Sequence, residues 1–537
     1  MIHTMMRYEL TVDSIFKRAA AHFPETEIVS RLPSKEVVRR TYADFSKRAS
    51  ALARALVGMG IGKGDRVATL MWNHYAHVEA YYAIPLAGGV LHTLNLRLHP
   101  DDIGYIAAHA NDRVLIVDDV LLPLYEKFKH IAKFEKVIVV SMTGQPLPQG
   151  AVEYETVLRD APKDAVLPAL HEEDPMGMCY TSGTTGKPKG VVYAHRTIAL
   201  HSMSVGLVDN LGLSSHDTVL AVVPMFHVNA WGLPFAAVML GAKQVMPGPH
   251  LDAVSLLDLM ETEKVTMAAG VPTIWLAILQ ALEKEPTRWK LQPGLRMVVG
   301  GSAAPESMIR AFDRFGMRIV HAWGMTETAP LGTVSNLGPD TESWTDDQKY
   351  ALRATQGTPS PFIELRTMGE KGECPKDGNT SGELEVRGAW VAGNYYELPE
   401  EKDRWSPDGW FRTGDVATLD GHGRMRITDR TKDLIKSGGE WISSVELENI
   451  LMGHPLVKEA AVIAVPHPKW AERPLAVVVP KEGASVTEAE LRGYLEGKVA
   501  KWWIPEAIDF IDVIPRTSAG KFLKSALREK YKDWKWE

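Results

Sequence analysis

The sequence predicts an α/β protein: a large N-terminal domain of parallel-rich sheets flanked by helices, with a β-rich subdomain, and then a small α+β C-terminal domain. Three observations support this fold class. Helical patterns alternate with short continuous apolar runs over about the first 430 residues, which is typical of parallel strands covered on both faces. The segment from about 380 to 428 has a shorter, β-like pattern. A separate set of helix and strand patterns begins near Asp429, and a chain of 537 residues is too long for one core.

The elements of the large domain follow from hydrophobic periodicity. A helix is predicted over 42–57, because its apolar residues recur on one helical face. Glycines then end this helix, and residues 66–70 form a strand. Polar and acidic residues over 338–350 indicate a surface excursion. Further strands are predicted over 114–117, 137–140, 219–223 and 297–299.

Loops rich in glycine or proline occupy 224–227, 300–305 and 321–324, next to apolar runs. Ligands in open α/β sheets bind at the carboxyl ends of strands. These three loops are therefore expected to converge on one site.

We predict a domain boundary near residue 429, with the large domain over 1–428, a linker over 429–434 and the small domain over 435–537. The elements predicted for the small domain are helices over 445–452 and from Glu488, and strands over 460–465, 475–479 and 508–513.

Composition excludes several classes of protein. The net charge of −7 and the pI of about 6.2 argue against a nucleic-acid partner, which needs a basic surface. Two cysteines, Cys179 and Cys374, do not form a disulfide framework and favour a reducing compartment. The first residues lack the apolar region of a signal peptide, and no run of about 18 apolar residues suggests a membrane helix. We therefore expect a cytoplasmic protein without integral membrane contact.

The most informative segment is 180–190, Tyr-Thr-Ser-Gly-Thr-Thr-Gly-Lys-Pro-Lys-Gly, which follows a buried strand pattern. Its backbone N–H groups, hydroxyls and ammonium groups suit a polyanion such as nucleotide phosphates. Its glycine spacing differs from that of the common P-loop. A mobile surface turn is the alternative interpretation.

Seven further motifs occur along the chain. They occupy 226–232, 301–305, 323–327, 408–415, 429–434, 436–441 and 515–521. With segment 180–190, they resemble the adenylate-forming superfamily of acyl-CoA synthetases, adenylation domains and beetle luciferases. Within it, the chain is most similar to bacterial medium- and long-chain fatty acyl-CoA synthetases (AMP-forming), and the resemblance spans nearly the full length. It implies a small domain that is mobile about the linker, with Asp429 as the hinge residue.

The resemblance implies a site for ATP and Mg²⁺. Thr181 and Glu327 are expected to hold the metal, which needs only one or two protein carboxylates beside phosphate oxygens. Trp323 is expected to stack on adenine, although tyrosine is more common there in the family, and Asp415 to bind both ribose hydroxyls. The nucleotide and coenzyme A contacts implied are Thr181, Ser182, Gly183, Thr184, Thr185, Gly186, Lys187, Lys189, Gly301, Ser302, Ala303, Trp323, Gly324, Met325, Thr326, Asp415, Arg430, Lys432, Lys436, Gly438, Gly439 and Trp441.

Catalytic and acid-binding residues are implied in the same way. Lys521 is the expected catalytic lysine, which would neutralise charge between the carboxylate and the α-phosphate. His227 is expected beside the acyl group or the thiol, with a core histidine bonded to backbone as the alternative. Trp231 matches a tryptophan that gates the acyl tunnel in long-chain relatives. The acid-binding residues implied are His227, Val228, Trp231, Gly232, Gly301 and Trp323.

The implied activity is acyl-CoA synthesis in two steps, through acyl-AMP and then thioester formation with coenzyme A. Two bulky tryptophans, Trp231 and Trp323, favour short-to-medium acids; a sulfur-containing short acid such as 3-methylthiopropionate is an alternative substrate. An amino-acid-activating domain lacks support, because His-Val-Asn follows Phe226 where such domains place an aspartate. An ATP-binding scaffold without catalysis is a further alternative. The segment from Tyr8 to His22 resembles one that joins subunits in relatives, so a homodimer is expected.

Overall fold

The computed structural model describes residues 4–181, 187–438, 440–517 and 520–536. Two largely parallel sheets form the centre of the large domain, an antiparallel sheet adjoins them, and a small α+β unit follows. The predicted fold class is confirmed. No helix within the described ranges is long and apolar enough to cross a membrane.

The first sheet has seven strands, of which all neighbours run parallel except the last pair. Alternate residues of the strand Val114–Asp118 enter two different hydrophobic clusters, one on each face of the sheet. Burial on both faces explains why this strand is a continuous apolar run in the sequence. In spatial order, the strands are Val152–Glu153, Lys136–Val140, Val114–Asp118, Arg66–Leu70, Val90–Thr93, Pro175–Tyr180 and Gly190–Ala194.

The second sheet has nine strands, parallel in the centre and antiparallel at both edges. One face contributes to the same large cluster as the first sheet, and the other face packs on separate helices. The order is Thr358–Pro359, Leu331–Val334, Arg318–Gly324, Arg296–Val299, Met267–Gly270, Thr218–Ala221, Lys243–Met246, Glu27–Arg31 and Val37–Thr41.

Helices cover both sheets. The predicted helix at 42–57 is present as Tyr42–Gly58, and its N-terminus is capped by Thr41, whose Oγ1 accepts a hydrogen bond from the Asp44 N–H at 3.1 Å. The polar stretch at 338–350 runs into a helix, Asp346–Arg353. The other helices are Val12–His22, Tyr75–Leu86, Pro100–His109, Leu122–Phe128, Tyr154–Arg159, His195–Gly206, Leu233–Leu240, Ala253–Thr262, Pro272–Lys284 and Glu306–Arg314.

The third sheet is antiparallel and forms the β-rich subdomain. Its last strand ends at Arg430, so the predicted linker begins inside that strand. Its strands, in spatial order, are Gly372–Glu373, Ile363–Gly369, Gly382–Gly388, Phe411–Leu419 and Met425–Arg430.

The small unit after the linker packs helices Ser444–Met452, Glu488–Leu495 and Lys524–Lys530 on one sheet. Buried Asp429 connects the linker to this unit, because its carboxylate accepts hydrogen bonds from the N–H (2.6 Å) and the hydroxyl of Ser444. The strands are Glu440–Ile442, Ile435–Ser437, Ala471–Pro480 and Val457–His467, with Ala507–Phe510 beside Ala471–Pro480.

Candidate active site

A cavity of about 390 Å³ opens at the carboxyl ends of the central strands of the second sheet, where the small unit meets the large domain. The loops predicted to converge do so, because 224–227, 300–305 and 321–324 each contribute lining residues. A cleft of about 230 Å³ adjoins this cavity and runs between the two units. We call the two spaces the main cavity and the cleft.

The structure places most of the predicted site residues around these spaces. Ser302, Ala303 and Asp415 line the cleft. Gly232, Lys436, Gly438 and Trp441 line neither space. Ser182, Gly183, Thr184, Thr185, Gly186 and Gly439 lie outside the described residues. The predicted residues that line the main cavity are Thr181, Lys187, Lys189, His227, Val228, Trp231, Gly301, Trp323, Gly324, Met325, Thr326, Glu327, Arg430, Lys432 and Lys521.

The two ends of segment 180–190 are held together by an antiparallel hairpin. The Thr181 N–H donates to the Lys189 carbonyl at 2.9 Å, and the Lys189 N–H donates to Thr181 Oγ1 at 3.1 Å. A side chain at Gly190 would bring its Cβ within 2.7 Å of the Met178 methyl. The hairpin therefore fixes Thr181 and Lys189, which both line the main cavity.

Positive charge dominates the main cavity. Six cationic side chains and one carboxylate, that of Glu327, are found among its described lining residues. Such a surplus of positive charge in a cavity attracts a polyanion. Lys189 is itself anchored, with Nζ 2.5 Å from Glu401 Oε2 and 5.2 Å from the centre of the Tyr395 ring. The cationic residues are Lys187, Lys189, Arg404, Arg430, Lys432 and Lys521.

Glu327 is held in place by an aromatic neighbour. It is buried, and the Tyr395 hydroxyl donates to its Oε1 at 2.5 Å. Burial raises the pKa of Glu327, while the Tyr395 hydrogen bond and the charges of Arg404 and Arg430 oppose that rise. The preceding residue is also fixed, because the Thr326 carbonyl accepts from the Tyr193 hydroxyl at 2.8 Å.

The donor set suits a magnesium ion bound through a phosphate substrate. No cluster of three or more His, Cys, Asp or Glu side chains able to hold a metal occurs in the part of the chain that the structure describes. The Thr181 hydroxyl and the buried Glu327 carboxylate line the same cavity. Mg²⁺ keeps several waters and takes few protein oxygens when phosphates complete its shell, so these two groups fit it.

Asp415 is buried at the cleft and is contacted from both sides. The Trp323 Nε1–H donates to its Oδ2 at 2.9 Å, and the Arg430 guanidinium lies 3.2 Å from its Oδ1. The sequence motifs indicated the importance of Trp323 and Asp415, but they did not indicate this hydrogen bond. The two residues are 92 positions apart, so local spacing carries no sign of the contact.

Lys521 reaches the main cavity from the small unit. Its Cε lies 3.4 Å from the position that a Cβ on Gly301 would occupy. Desolvation dominates and lowers the pKa of Lys521 to about 8, helped by the charge of Arg430. Asp415 and Glu327 act in the opposite direction. Lys521 therefore shares one electrostatic environment with the two carboxylates.

The apolar end of the main cavity is built on an unusual turn. Residues 228–231 have φ between 43° and 56°, a left-handed conformation that costs about 1–2 kcal/mol for each non-glycine residue. Asn229 helps to hold this turn, since its Oδ1 accepts from the Cys179 thiol at 3.1 Å. The turn lays the Trp231 ring on Gly300, where an added Cβ would come within 3.1 Å of the indole. The apolar residues around it include Val205, Leu211, Val298 and Leu331.

His227 lines the main cavity and follows the loop 224–226. Burial lowers its pKa to about 3, and the charges of Lys521 and Arg97 contribute. The imidazole is therefore neutral at pH 7 and can accept or donate a hydrogen bond. Gly232 lies behind the wall instead, where a Cβ would come within 2.5 Å of His201.

Comparison with protein families explains this arrangement. The model of the AMP-binding enzyme family matches residues 16–396, and that of the AMP-binding enzyme C-terminal domain matches residues 446–521. The chain belongs to the AMP-binding enzyme family. Both units of this AMP-binding enzyme, the large domain and the small unit that carries Lys521, are thus accounted for.

Several relatives of this AMP-binding enzyme are CoA ligases, and they align with it over nearly its whole length. The long-chain-fatty-acid–CoA ligase of Thermus thermophilus is 51% identical over 99% of this chain and 97% of its own. The medium-chain-fatty-acid–CoA ligase of Ectopseudomonas oleovorans is 44% identical over 99% and 98%. The 3-methylmercaptopropionyl-CoA ligase of Ruegeria lacuscaerulensis is 44% identical over 99% of both chains.

Solved structures share the fold. The anthranilate CoA ligase AuaEII, in complex with anthranoyl-AMP, aligns with a TM-score of 0.85 and 26% identity over 98% of both chains. The o-succinylbenzoate coenzyme A synthetase of Bacillus subtilis, in complex with ATP and a magnesium ion, aligns with a TM-score of 0.79 and 25% identity. That alignment covers 96% of this chain and 99% of the other.

Several residues of the site carried no signal in the sequence. Tyr395 and Arg404 both line the main cavity, but neither lies in a motif. The segment 389–404, in which they lie, has no periodic pattern, so only the fold reveals that it borders Glu327. A buried carboxylate without a sequence-adjacent partner was the one available hint, because such a group needs a hydrogen-bond donor.

Proposed function

We propose that this enzyme is an acyl-CoA synthetase that uses the main cavity and the cleft as one active site. It activates a carboxylic acid with ATP to acyl-AMP and pyrophosphate, and then transfers the acyl group to the thiol of coenzyme A with release of AMP. The observation that carries this proposal is the entry of Lys521 into a strongly cationic cavity that also holds Glu327 and adjoins Asp415.

In the first step, a carboxylate oxygen of the acid attacks the α-phosphorus, and the bond to the leaving pyrophosphate breaks. Lys521 donates to the oxygens on which negative charge builds up, in a cavity where such an interaction is strong. Lys187 and Lys189 hold the β- and γ-phosphates, together with the segment 182–186. Asp415 accepts from the ribose hydroxyls, Trp323 lies against the adenine, and Gly301, Ser302, Ala303, Gly324, Met325 and Thr326 approach the nucleoside and the α-phosphate.

Thr181 and Glu327 would hold Mg²⁺, which neutralises phosphate charge when it is bound. In the second step, the CoA thiolate attacks the acyl carbonyl carbon and AMP leaves. His227, neutral at pH 7, lines the main cavity and would contact the thiol or the acyl group. The linker 429–434 would then act as the pivot that replaces Lys521 by the face carrying Gly438 and Gly439.

The apolar end of the cavity supports a mostly hydrocarbon acid. Val228 and Trp231 line this end, and each buried CH₂ contributes about 0.8 kcal/mol to binding. A short-to-medium fatty acid fits this lining. A short sulfur-containing acid such as 3-methylthiopropionate is the second candidate, favoured by the name of the Ruegeria relative.

We also propose that the enzyme is cytoplasmic, where ATP and CoA are supplied, and that it forms a homodimer through the segment 8–22. Tyr8 is 67% exposed, and the neighbouring Met5 and Met6 are exposed further, so this end of the chain presents apolar surface. Light scattering that gives the mass of a monomer at micromolar concentration would contradict the homodimer.

The activity is tested with a panel of straight-chain acids from four to sixteen carbons, together with 3-methylthiopropionate and amino acids. Pyrophosphate release and CoA consumption are measured for each acid. We expect both signals with the same acids. Pyrophosphate release with amino acids alone would support an amino-acid-activating domain, and ATP binding without pyrophosphate release from any acid would support a non-catalytic scaffold.

A further inference from the structure

Trp323 stands between the main cavity and the cleft and lines both of them. Its indole N–H donates to Asp415 Oδ2 at 2.9 Å, so the ring that walls the apolar pocket is bonded to the carboxylate of the cleft. We propose that Trp323 is a positioning residue that orients Asp415 for the ribose and couples occupancy of the acid pocket to nucleotide affinity. This inference rests on the proposed function.

The hydrogen-bonding capacity of Asp415 supports the first part. A carboxylate can accept about four hydrogen bonds. Trp323 uses one position on Oδ2, and Arg430 approaches Oδ1 at 3.2 Å. One position remains on each oxygen, which is what two neighbouring hydroxyl groups of a ribose require. Contacts on both sides restrict, but do not abolish, rotation of this carboxylate away from the hydroxyls.

The packing of the ring supports the second part. Trp323 is only 7% exposed and lies on Gly332, where an added Cβ would come within 2.5 Å of the indole. Gly332 belongs to the neighbouring strand, so the sheet blocks movement of the ring on that side. Leu331 and Trp231 share the apolar cavity with it. An acid that fills this cavity therefore restricts the same ring whose N–H holds Asp415.

The test uses Trp323→Phe, which keeps an aromatic ring and removes the N–H donor. The chain offers a matched control: Trp289 is also 7% exposed, and its Nε1–H donates to a carboxylate oxygen of Asp258 at 2.7 Å, but it lines neither space. Trp289→Phe thus removes the same kind of bond outside the site. Circular dichroism and thermal melting establish that both variants fold.

The probe is AMP, whose affinity is measured by calorimetry with and without the preferred acid, because AMP lacks the pyrophosphate leaving group and does not react with the acid. We expect Trp323→Phe to weaken AMP binding about tenfold, the size expected for one hydrogen bond to a charged group. We expect a smaller loss for 2′-deoxy-AMP, so that discrimination between the two nucleotides shrinks. The acid should strengthen AMP binding in the wild type and in Trp289→Phe, and less in Trp323→Phe.

A double-mutant cycle shows whether the effect passes through Asp415. In an Asp415→Ala background, Trp323→Phe should change AMP affinity little further. Unchanged nucleotide discrimination in Trp323→Phe, or an equal loss in the presence and absence of Asp415, would overturn the inference. A wild-type enzyme that binds neither AMP nor ATP would instead contradict the proposed function itself. If Trp323→Phe fails to fold, Asp415→Ala alone still tests the coupling, because it too should abolish the effect of acid on AMP affinity.

Discussion

Replacing Lys521 by alanine removes the ammonium group that the small unit brings into the main cavity. Its surroundings lower the pKa of this ammonium from 10.5 to about 8, which corresponds to at most about 3 kcal/mol of net unfavourable interaction, since Lys521 is not fully buried and solvent screens part of it. Binding of ATP and the acid brings negative charge next to the Lys521 ammonium, and this attraction would offset the unfavourable free energy. Removing a donor aimed at developing charge typically slows a reaction by about 10²–10³-fold. We expect a loss of this size in acyl-AMP formation.

The two half-reactions are measured separately. Pyrophosphate release in a single turnover reports acyl-AMP formation, and CoA thioester formation from preformed acyl-AMP reports the second step. Lys521→Ala should slow the first step strongly and the second step much less. Lys532→Ala is the matched control, because Lys532 lies in the same unit, is 59% exposed and pairs only with Glu529 among the ion pairs of the described chain. An equal loss in both half-reactions would refute the role given to Lys521.

Three further predictions concern pH, the acid pocket and the linker. Adenylation requires protonated Lys521, and the pKa of this lysine in the free enzyme is about 8. The kcat/KM for acyl-AMP formation should therefore fall as the pH rises through about 8. A pH profile that stays flat up to about pH 10, where an unperturbed lysine titrates, would contradict this prediction. Trp231→Ala should open the apolar end and shift the preferred acid to a longer chain, with about a fourfold gain in kcat/KM for each added CH₂ that is buried; an unchanged chain-length profile would exclude Trp231 as its limit. Asp429→Pro should restrict rotation about the linker and slow thioester formation more than adenylation. An equal fold-loss in the rates of both half-reactions would argue against a pivot at this residue. Melting curves show how much stability is lost with the hydrogen bonds to Ser444.

The sequence predicted the positions of strands that are buried along their whole length. Residues 66–70 form a strand with the predicted bounds, because it is covered on both faces. The strand predicted at 219–223 ends earlier, at Ala221, since its last two apolar residues already belong to the loop that leads to His227. The strand predicted over 508–513 also ends early, at Phe510, and Val513 is 68% exposed. Apolar character therefore located strands well but did not locate their ends.

The candidate site shows the same division between local and distant information. Contiguous motifs identified Glu327, Asp415 and Lys521, because each stands in a short pattern with a chemical purpose. The bond between Trp323 and Asp415, and the contact between Tyr395 and Glu327, join segments 92 and 68 positions apart. Such contacts depend on how the second and third sheets pack against each other, and no local sequence pattern predicts that packing. The left-handed turn at 228–231 was also missed, because no glycine within it marks a positive φ.

The central claim is that Glu327, Asp415 and Lys521 act on one and the same bound nucleotide. A crystal structure with a non-hydrolysable acyl-adenylate analogue, in which a sulfamate replaces the phosphate, tests this claim most directly. Asp415 should accept from both ribose hydroxyls, and Lys521 should lie within hydrogen-bonding distance of the sulfamate or the acyl carbonyl, with the acyl chain against Trp231. An analogue bound with its ribose away from Asp415, or with its acyl group outside the main cavity, would contradict the account.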